Sequence, residues 1–435
     1  MKTGTVLWTP AADVRERARI GDYLRWLESN RGLSFADYHG LWSWSVTELE
    51  DFWQSVWDYF DVQLLHLPLG EGRGEGSRTR PTAALTDRRM PGAGWFPGAA
   101  LNYAEHSLRH AGDGLAVAAR SQTRAADVRL TGTDLADQVA RAAAGLRRLG
   151  VGRGDRVVAY MPNVPETLVV LLATASIGAI FSSCAPEFGV RAVTDRVRQI
   201  KPAVLVAVDG YRYGKKEIDR TEDVAAIRAA LPTLQATVVL PYLSDSFDPA
   251  RFPGALAWSE LLSSSEPLSF ELVPFDHPLY ILYSSGTTGL PKPIVHGHGG
   301  ILLEHLKMLA LHHDLGPADR FFWFSTTGWM MWNYLVSGLL VGTAVVLFDG
   351  DPGYPDLSCL WRLAQELEVT YFGASAPYLH SCMRAGLEPG RDFDLSRLRG
   401  VGSTGAPLLP EAFGWVYDHV GRDVVLGSVS GGTDV

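Results

Sequence analysis

Apolar residues recur along this chain with two periods. Leu49, Phe52, Trp53 and Val56 follow helical spacing, behind Ser45 and Glu48, whose three-residue offset predicts a helix capped at Ser45. Leu135, Val139, Ala142, Leu146 and Leu149 form a second helical stripe, with Thr133 as the expected cap and Gly150 as the stop. Short apolar runs read instead as buried strands. Two lie near 116–130, and others at 155–160, 179–183 and 203–208, alternating with helices over 165–177 and 190–200. The alternation returns after 275, with strands 279–284, 321–325, 344–348, 370–373 and 399–403. Helices over 301–313, 333–340, 358–367, 376–385 and 410–419 separate them. Strands alternating with helices predict parallel sheets covered on both faces. The expected fold is α/β, with two α/β subdomains of mainly parallel sheet and an N-terminal helical extension. The expected divisions are 1–100 for the extension and a lead-in segment, 101–274 for the first subdomain and 275–435 for the second.

Composition narrows the function classes. A chain of 435 residues exceeds one compact core, and 46% hydrophobic with 20% charged residues is a globular balance. The net charge of −9, with both signs mixed along the chain, argues against a nucleic-acid or anionic-membrane partner. Cys184, Cys359 and Cys382 are far apart and odd in number, which suggests neither a zinc site nor a disulfide framework and fits a reducing cytoplasm. The N-terminus lacks a signal-peptide core, and the longest apolar stretch, 167–183, reads as a buried helix and strand. Residues 1–66 are rich in tryptophan and are expected to pack on a larger body rather than to form a sugar platform. The Gly-rich, charged run 70–80 predicts a surface loop, since no apolar strand precedes it.

The densest chemistry lies in YSSGTTGLPK, from Tyr283 to Lys292. Ser284, Ser285, Thr287 and Thr288 offer hydroxyls, Gly286 and Gly289 let the backbone turn and expose its amides, and Lys292 adds a positive charge. An apolar strand leads in and a second strand leads out, so the loop is built to cradle phosphate oxygens. It is not a Walker loop, because Pro291 and Pro293 flank the lysine and a strand follows.

This segment closely resembles the signature of the acyl-adenylate-forming superfamily, which includes acyl-CoA synthetases. Further segments extend the resemblance over roughly 35–435: WFPGAALN at 95–102, YMPNVPE at 160–166, GAIFSS at 178–183, GSTGAP at 402–407 and SGGTD at 430–434. The wording of 326–333 and 430–435 looks most like the branch that activates acetoacetate. The resemblance implies a small carboxylate, ATP and coenzyme A as partners, with Mg2+. In the first step a carboxylate attacks the α-phosphate, giving an acyl-adenylate and pyrophosphate; the CoA thiol then attacks the carbonyl. No general base is needed for the first step, since the acid is already ionised at neutral pH.

The resemblance also assigns roles. The hydroxyls and amides of 284–289 would meet the β- and γ-phosphates, Lys292 the pyrophosphate, and Thr433 the α-phosphate. Asp434 would contact magnesium, directly or through water; the superfamily usually has the longer Glu there. Ser430, Gly431 and Gly432 belong to the same motif, and Gly405, Ala406 and Pro407 would pack against adenine or form a plain turn. Arg212 and Lys215 would meet the CoA nucleotide phosphates, or form a solvated basic loop. Trp329, Met330, Met331, Trp332 and Asn333 would line the acyl pocket, or be core. Gly431 stands where acetate-specific relatives carry a tryptophan, which leaves that wall open, or it merely serves a tight turn. His296, His298, His305, His312 and His313 match no zinc spacing; His296 is notable for following the phosphate loop. Relatives carry a further ribose-binding aspartate, a hinge and a small mobile domain with a lysine, none visible here, so a truncated, poorly active chain is expected. The alternatives are a synthetase for another short or branched acid, and a nucleotide-binding module without catalysis.

Overall fold

The structure, a computed structural model, describes residues 4–62, 83–284 and 289–433. It is built on two seven-stranded sheets, whose strands we number in chain order. They are β1 Leu115–Ser121, β2 Val128–Thr131, β3 Arg156–Tyr160, β4 Ile180–Cys184, β5 Val204–Val208, β6 Ala236–Leu240 and β7 Leu256–Ala257. After them come β8 Pro278–Ser284, β9 Lys292–Gly297, β10 Arg320–Trp323, β11 Ala344–Asp349, β12 Tyr371–Ser375, β13 Gly400–Thr404 and β14 Val425–Ser428. One sheet runs β7-β6-β5-β3-β4-β8-β9 and the other β14-β13-β12-β10-β11-β1-β2. Pairing is parallel except at one edge of each sheet, where β8–β9 and β1–β2 are antiparallel. The α/β expectation is met.

The central strands show why. Every residue of Val204–Val208 is buried, as expected of an apolar run covered by helices on both faces. The helix Pro165–Ser176 is buried nearly all round, with Pro165 in its first turn, where a missing N–H costs nothing. Glycine thins the second sheet so that large rings can lie across it. A Cβ on Gly373 would meet the Trp323 ring at 2.1 Å and one on Gly402 the same ring at 2.5 Å.

The sheets do not divide at residue 275. β1 and β2, from the earlier stretch, complete the second sheet, while β8 and β9, which carry the phosphate loop, complete the first. Two expected caps also move. Ser45 lies inside the helix Tyr38–Thr47, donating to the carbonyl of Trp42, and the next helix starts at Leu49 behind Glu48. The helix expected behind a Thr133 cap begins two residues earlier, at Gly132, because Thr131 and Asp134 form a reciprocal capping box. The stretch expected as helix 301–313 is an α-helix over His298–Leu306 that continues as a π-helix over Lys307–His312. Trp57 packs as expected, stacking on Phe96 with ring centres 4.6 Å apart, against Phe275 of the body, whereas Trp42 is 53% exposed. The Gly-rich run 70–80 lies outside the described residues. Among those described, no helix is long and apolar enough to cross a membrane.

Candidate active site

The phosphate-type loop joins two paired strands. Ser284, the last residue of β8, sits opposite Lys292, the first of β9, so the loop closes as a hairpin between them. Ser284 is half-buried, and Gly289 and Lys292 are exposed. The side-chain amide of Gln199 donates to the carbonyl of Pro291 at 2.9 Å and anchors the exit of the loop. Ser285, Gly286, Thr287 and Thr288 lie outside the described residues.

The other half of the site comes from the second sheet. β13 and β14 are parallel neighbours, with Ser403 opposite Ser428, so the segments following them leave from one edge. Gly405 follows β13 with φ of +83°, a left-handed conformation that glycine adopts without cost, and Ala406 and Pro407 beside it are exposed. After β14, the N–H of Val429 donates to Ser403 and the Thr404 hydroxyl to the Val429 carbonyl, both at 2.9 Å. Ser430, Gly431 and Gly432 are exposed, and Thr433 is half-buried. A Cβ on Gly431 would meet nothing within 4 Å. Asp434 lies outside the described residues. The two halves meet directly, since His296 of β9 places Nε2 2.7 Å from the carbonyl oxygen of Thr433.

The five-residue aromatic and methionine cluster divides. Trp329 caps the helix Met330–Val336 and is 61% exposed, while Met330 and Met331 are half-buried. Trp332 is fully buried; its indole N–H donates to Asn163 at 2.9 Å and its ring faces Phe181. Asn333 is 1% exposed, and neither atom of its amide finds a partner among the described residues. An unpaired buried amide is costly, so this position is a reserve of hydrogen bonding.

Arg212 and Lys215 lie on the hairpin formed by Gly210–Tyr213 and Lys216–Asp219, and both are exposed. The Arg212 guanidinium already pairs with Glu217 at 2.6 Å, an exposed contact weak enough to exchange for a phosphate. The hairpin is tied to the β1–β2 connection, where Thr123 accepts from the Arg212 N–H and Gln122 from the Gly214 N–H.

A cavity of about 430 Å³ runs from this hairpin to Trp329, lined by Asn163, Glu187, Phe188, Tyr213, Trp329 and Asp349 among others. Its carboxylates were missed in the sequence. Burial pushes Asp349 up to about 7, against the hydrogen bond from the Tyr242 hydroxyl at 2.7 Å. Glu187 adds to the rise and Arg124 opposes it. Burial also raises Glu187. The available signal was position: Asp349 ends β11, and ligands in parallel sheets gather at strand C-termini.

A hairpin and two glycine-bearing turns at the ends of parallel strands lie where open α/β folds commonly gather their ligands. The family described as AMP-binding enzyme matches residues 105–431, and the chain belongs to it. It is 43% identical to the acetoacetyl-coenzyme A synthetase of Rhizobium meliloti, over 100% of this chain and 65% of that protein. Against the acetoacetyl-CoA synthetase of Gallus gallus the identity is 37%, over 99% of this chain and 64% of the relative. The solved acetoacetyl-CoA synthetase from Streptomyces lividans superposes with a TM-score of 0.91 and 49% identity, over 99% of this chain and 65% of that one. The chain therefore spans under two thirds of the length of the relatives it matches.

Proposed function

We propose that the complete protein joins acetoacetate to coenzyme A in an AMP-forming reaction, through an acetoacetyl-adenylate, with release of pyrophosphate. The observation that carries this reading is the meeting of the phosphate hairpin with 430–433 through His296 and Thr433, at 2.7 Å. It draws together the two segments that the resemblance assigns to the triphosphate and to AMP. The likeness in sequence to acetoacetyl-CoA synthetases supports the choice of acid.

On this reading the chain's task is alignment and charge neutralisation, because the attacking carboxylate is already ionised. Ser284 and the loop after it hold the β- and γ-phosphates. Lys292, exposed opposite Ser284, is placed to offset charge on the departing pyrophosphate. The Thr433 hydroxyl serves the α-phosphate. Among the described residues no group of three His, Cys, Asp or Glu side chains gathers into a metal cage. Magnesium needs no such cage, since it is commonly held by one or two carboxylates plus substrate phosphates. Asp434 would supply the carboxylate, and the ion, when bound, would neutralise phosphate oxygens. The exposed hairpin with Arg212 and Lys215 would receive the anionic end of coenzyme A. The open space at Gly431 would take the acyl chain.

The test is a coupled assay of the full-length protein with acetate, butyrate and acetoacetate side by side. The expected outcome is AMP and acyl-CoA formation with acetoacetate clearly preferred. A preference for acetate or butyrate would overturn the choice of acid, and no AMP from any of them would overturn the reaction.

A further inference from the structure

His296 stands apart from the residues that the resemblance assigns to substrates. It lies on β9, the edge strand that leaves the phosphate hairpin, four positions after Lys292. Its Nε2 is 2.7 Å from the main-chain carbonyl of Thr433, a residue 137 positions away. A carbonyl has no proton to give, so Nε2 carries the hydrogen and donates.

The segment it holds needs an external anchor. Val429 is fixed to β13 through its own N–H and carbonyl. Beyond it come Ser430, Gly431 and Gly432, all exposed. Two glycines in succession carry large backbone freedom, and a Cβ at Gly431 would meet nothing within 4 Å among the described residues. The His296 bond at Thr433 fixes the far end, so the glycine pair is clamped between two points.

The clamp is itself firmly seated. The His296 ring lies against the fully buried Tyr280, with centres 5.5 Å apart. Buried His305 is close enough for the two imidazoles to interact electrostatically. Ser337 gives its single proton to the carbonyl of Asn333 at 2.8 Å. It must then accept from both the Tyr103 hydroxyl and His305 Nδ1, each at 2.7 Å. A satisfied, buried network of this kind has one arrangement, which makes a rigid wall.

We infer that His296 is a positioning residue. It fixes the main chain at Thr433, and so the proposed α-phosphate donor, at a set distance from strand β9. The inference rests on the proposed function, and its test separates the two. His296→Gln keeps an N–H donor near the place of Nε2, His296→Leu removes it, and His296→Asn is polar but too short to reach. AMP binding is measured by calorimetry on the full-length protein, together with kcat and KM for ATP–pyrophosphate exchange and the melting temperature of each variant. The expected result is AMP binding weakened about tenfold in Leu and Asn, the loss of roughly one oriented hydrogen bond and the order it imposes. Exchange kcat falls with them, KM for the carboxylate stays near wild type, and Gln recovers most of both losses. Wild-type affinity for AMP in the Leu and Asn variants would overturn the inference alone. So would a Gln variant as impaired as Leu, since a space-filling role, not a donor, would then be at work. A wild-type full-length protein that fails to bind AMP at all would overturn the proposed function and the inference together.

Discussion

Glycine 431 shows how much one residue of the site depends on its surroundings. It is not among the residues with positive φ, and an added Cβ would meet nothing within 4 Å among the described residues. The backbone therefore has no need of glycine there, and the reading of Gly431 as a bare turn residue loses its physical motive. We predict that Gly431→Trp in the full-length protein folds normally and suppresses activity on four-carbon acids far more than on acetate. The gap should exceed the ~1–3 kcal/mol that a methylene is worth in an apolar pocket, because an indole blocks the space outright. Relative kcat/KM for acetate and acetoacetate is the measurement, and equal losses on both would remove Gly431 from the pocket wall. The five clustered residues 329–333 were legible as a group but not individually. Composition does not distinguish Trp329, 61% exposed, from Trp332, fully buried. Only the packing of Trp332 against Asn163 and Phe181 separates them.

At the scale of elements, the strands read from the sequence lie within a residue or two of those observed, but β6, β7 and β14 were not read, and at β11 one missing residue mattered. The apolar run that marks β11 stops at Phe348, yet the strand continues through Asp349. A buried aspartate reads as a strand end, because sequence patterns cannot anticipate Tyr242 arriving from another sheet to donate to it. Since the folded value, about 7, lies above the ordinary carboxylate value, the native state binds the extra proton. The stabilisation is complete below about pH 4 and is lost as pH rises through about 7. We predict that wild-type stability declines from pH 5 to pH 7 with a contribution from Asp349 of at most about 1.4 kcal/mol per pH unit. Asp349→Asn, which keeps an acceptor for Tyr242 and never ionises, should flatten that slope and gain on wild type as pH rises. Denaturant melts at pH 5, 6, 7 and 8 measure it; parallel slopes for both proteins would show that Asp349 does not titrate in this range. The displaced caps have a related cause. Ser45 and Thr133 have the right chemistry, but neighbouring residues compete for the same role, and Thr131 wins because Asp134 returns its hydrogen bond.

For the whole molecule, the division expected at residue 275 has a direct test. β1 pairs with β11 along Val117–Ser121 and Val345–Asp349, and β8 pairs with β4 at Tyr280–Phe181 and Ile281–Ser182. Each stretch thus lends an edge hairpin to the other's sheet, a pattern in which neither core closes alone. We predict that fragments 101–274 and 275–435, expressed separately, show no cooperative thermal transition by circular dichroism, and that mixing restores at least part of it. A cooperative melt from either fragment by itself would restore the division at 275.

What the sequence determined by itself was local: the strand and helix periods, the phosphate hairpin, and the short motifs at 402–407 and 430–434. Each of these is set by neighbours a few positions apart, through backbone sterics, side-chain period and turn chemistry. Tertiary structure decided which sheet each strand joined, which tryptophan was core, and that His296 reaches Thr433 across 137 residues. Those outcomes depend on pairings between distant strands. Such pairings form only when the apolar faces are buried together, and no local pattern specifies which distant face will be the partner.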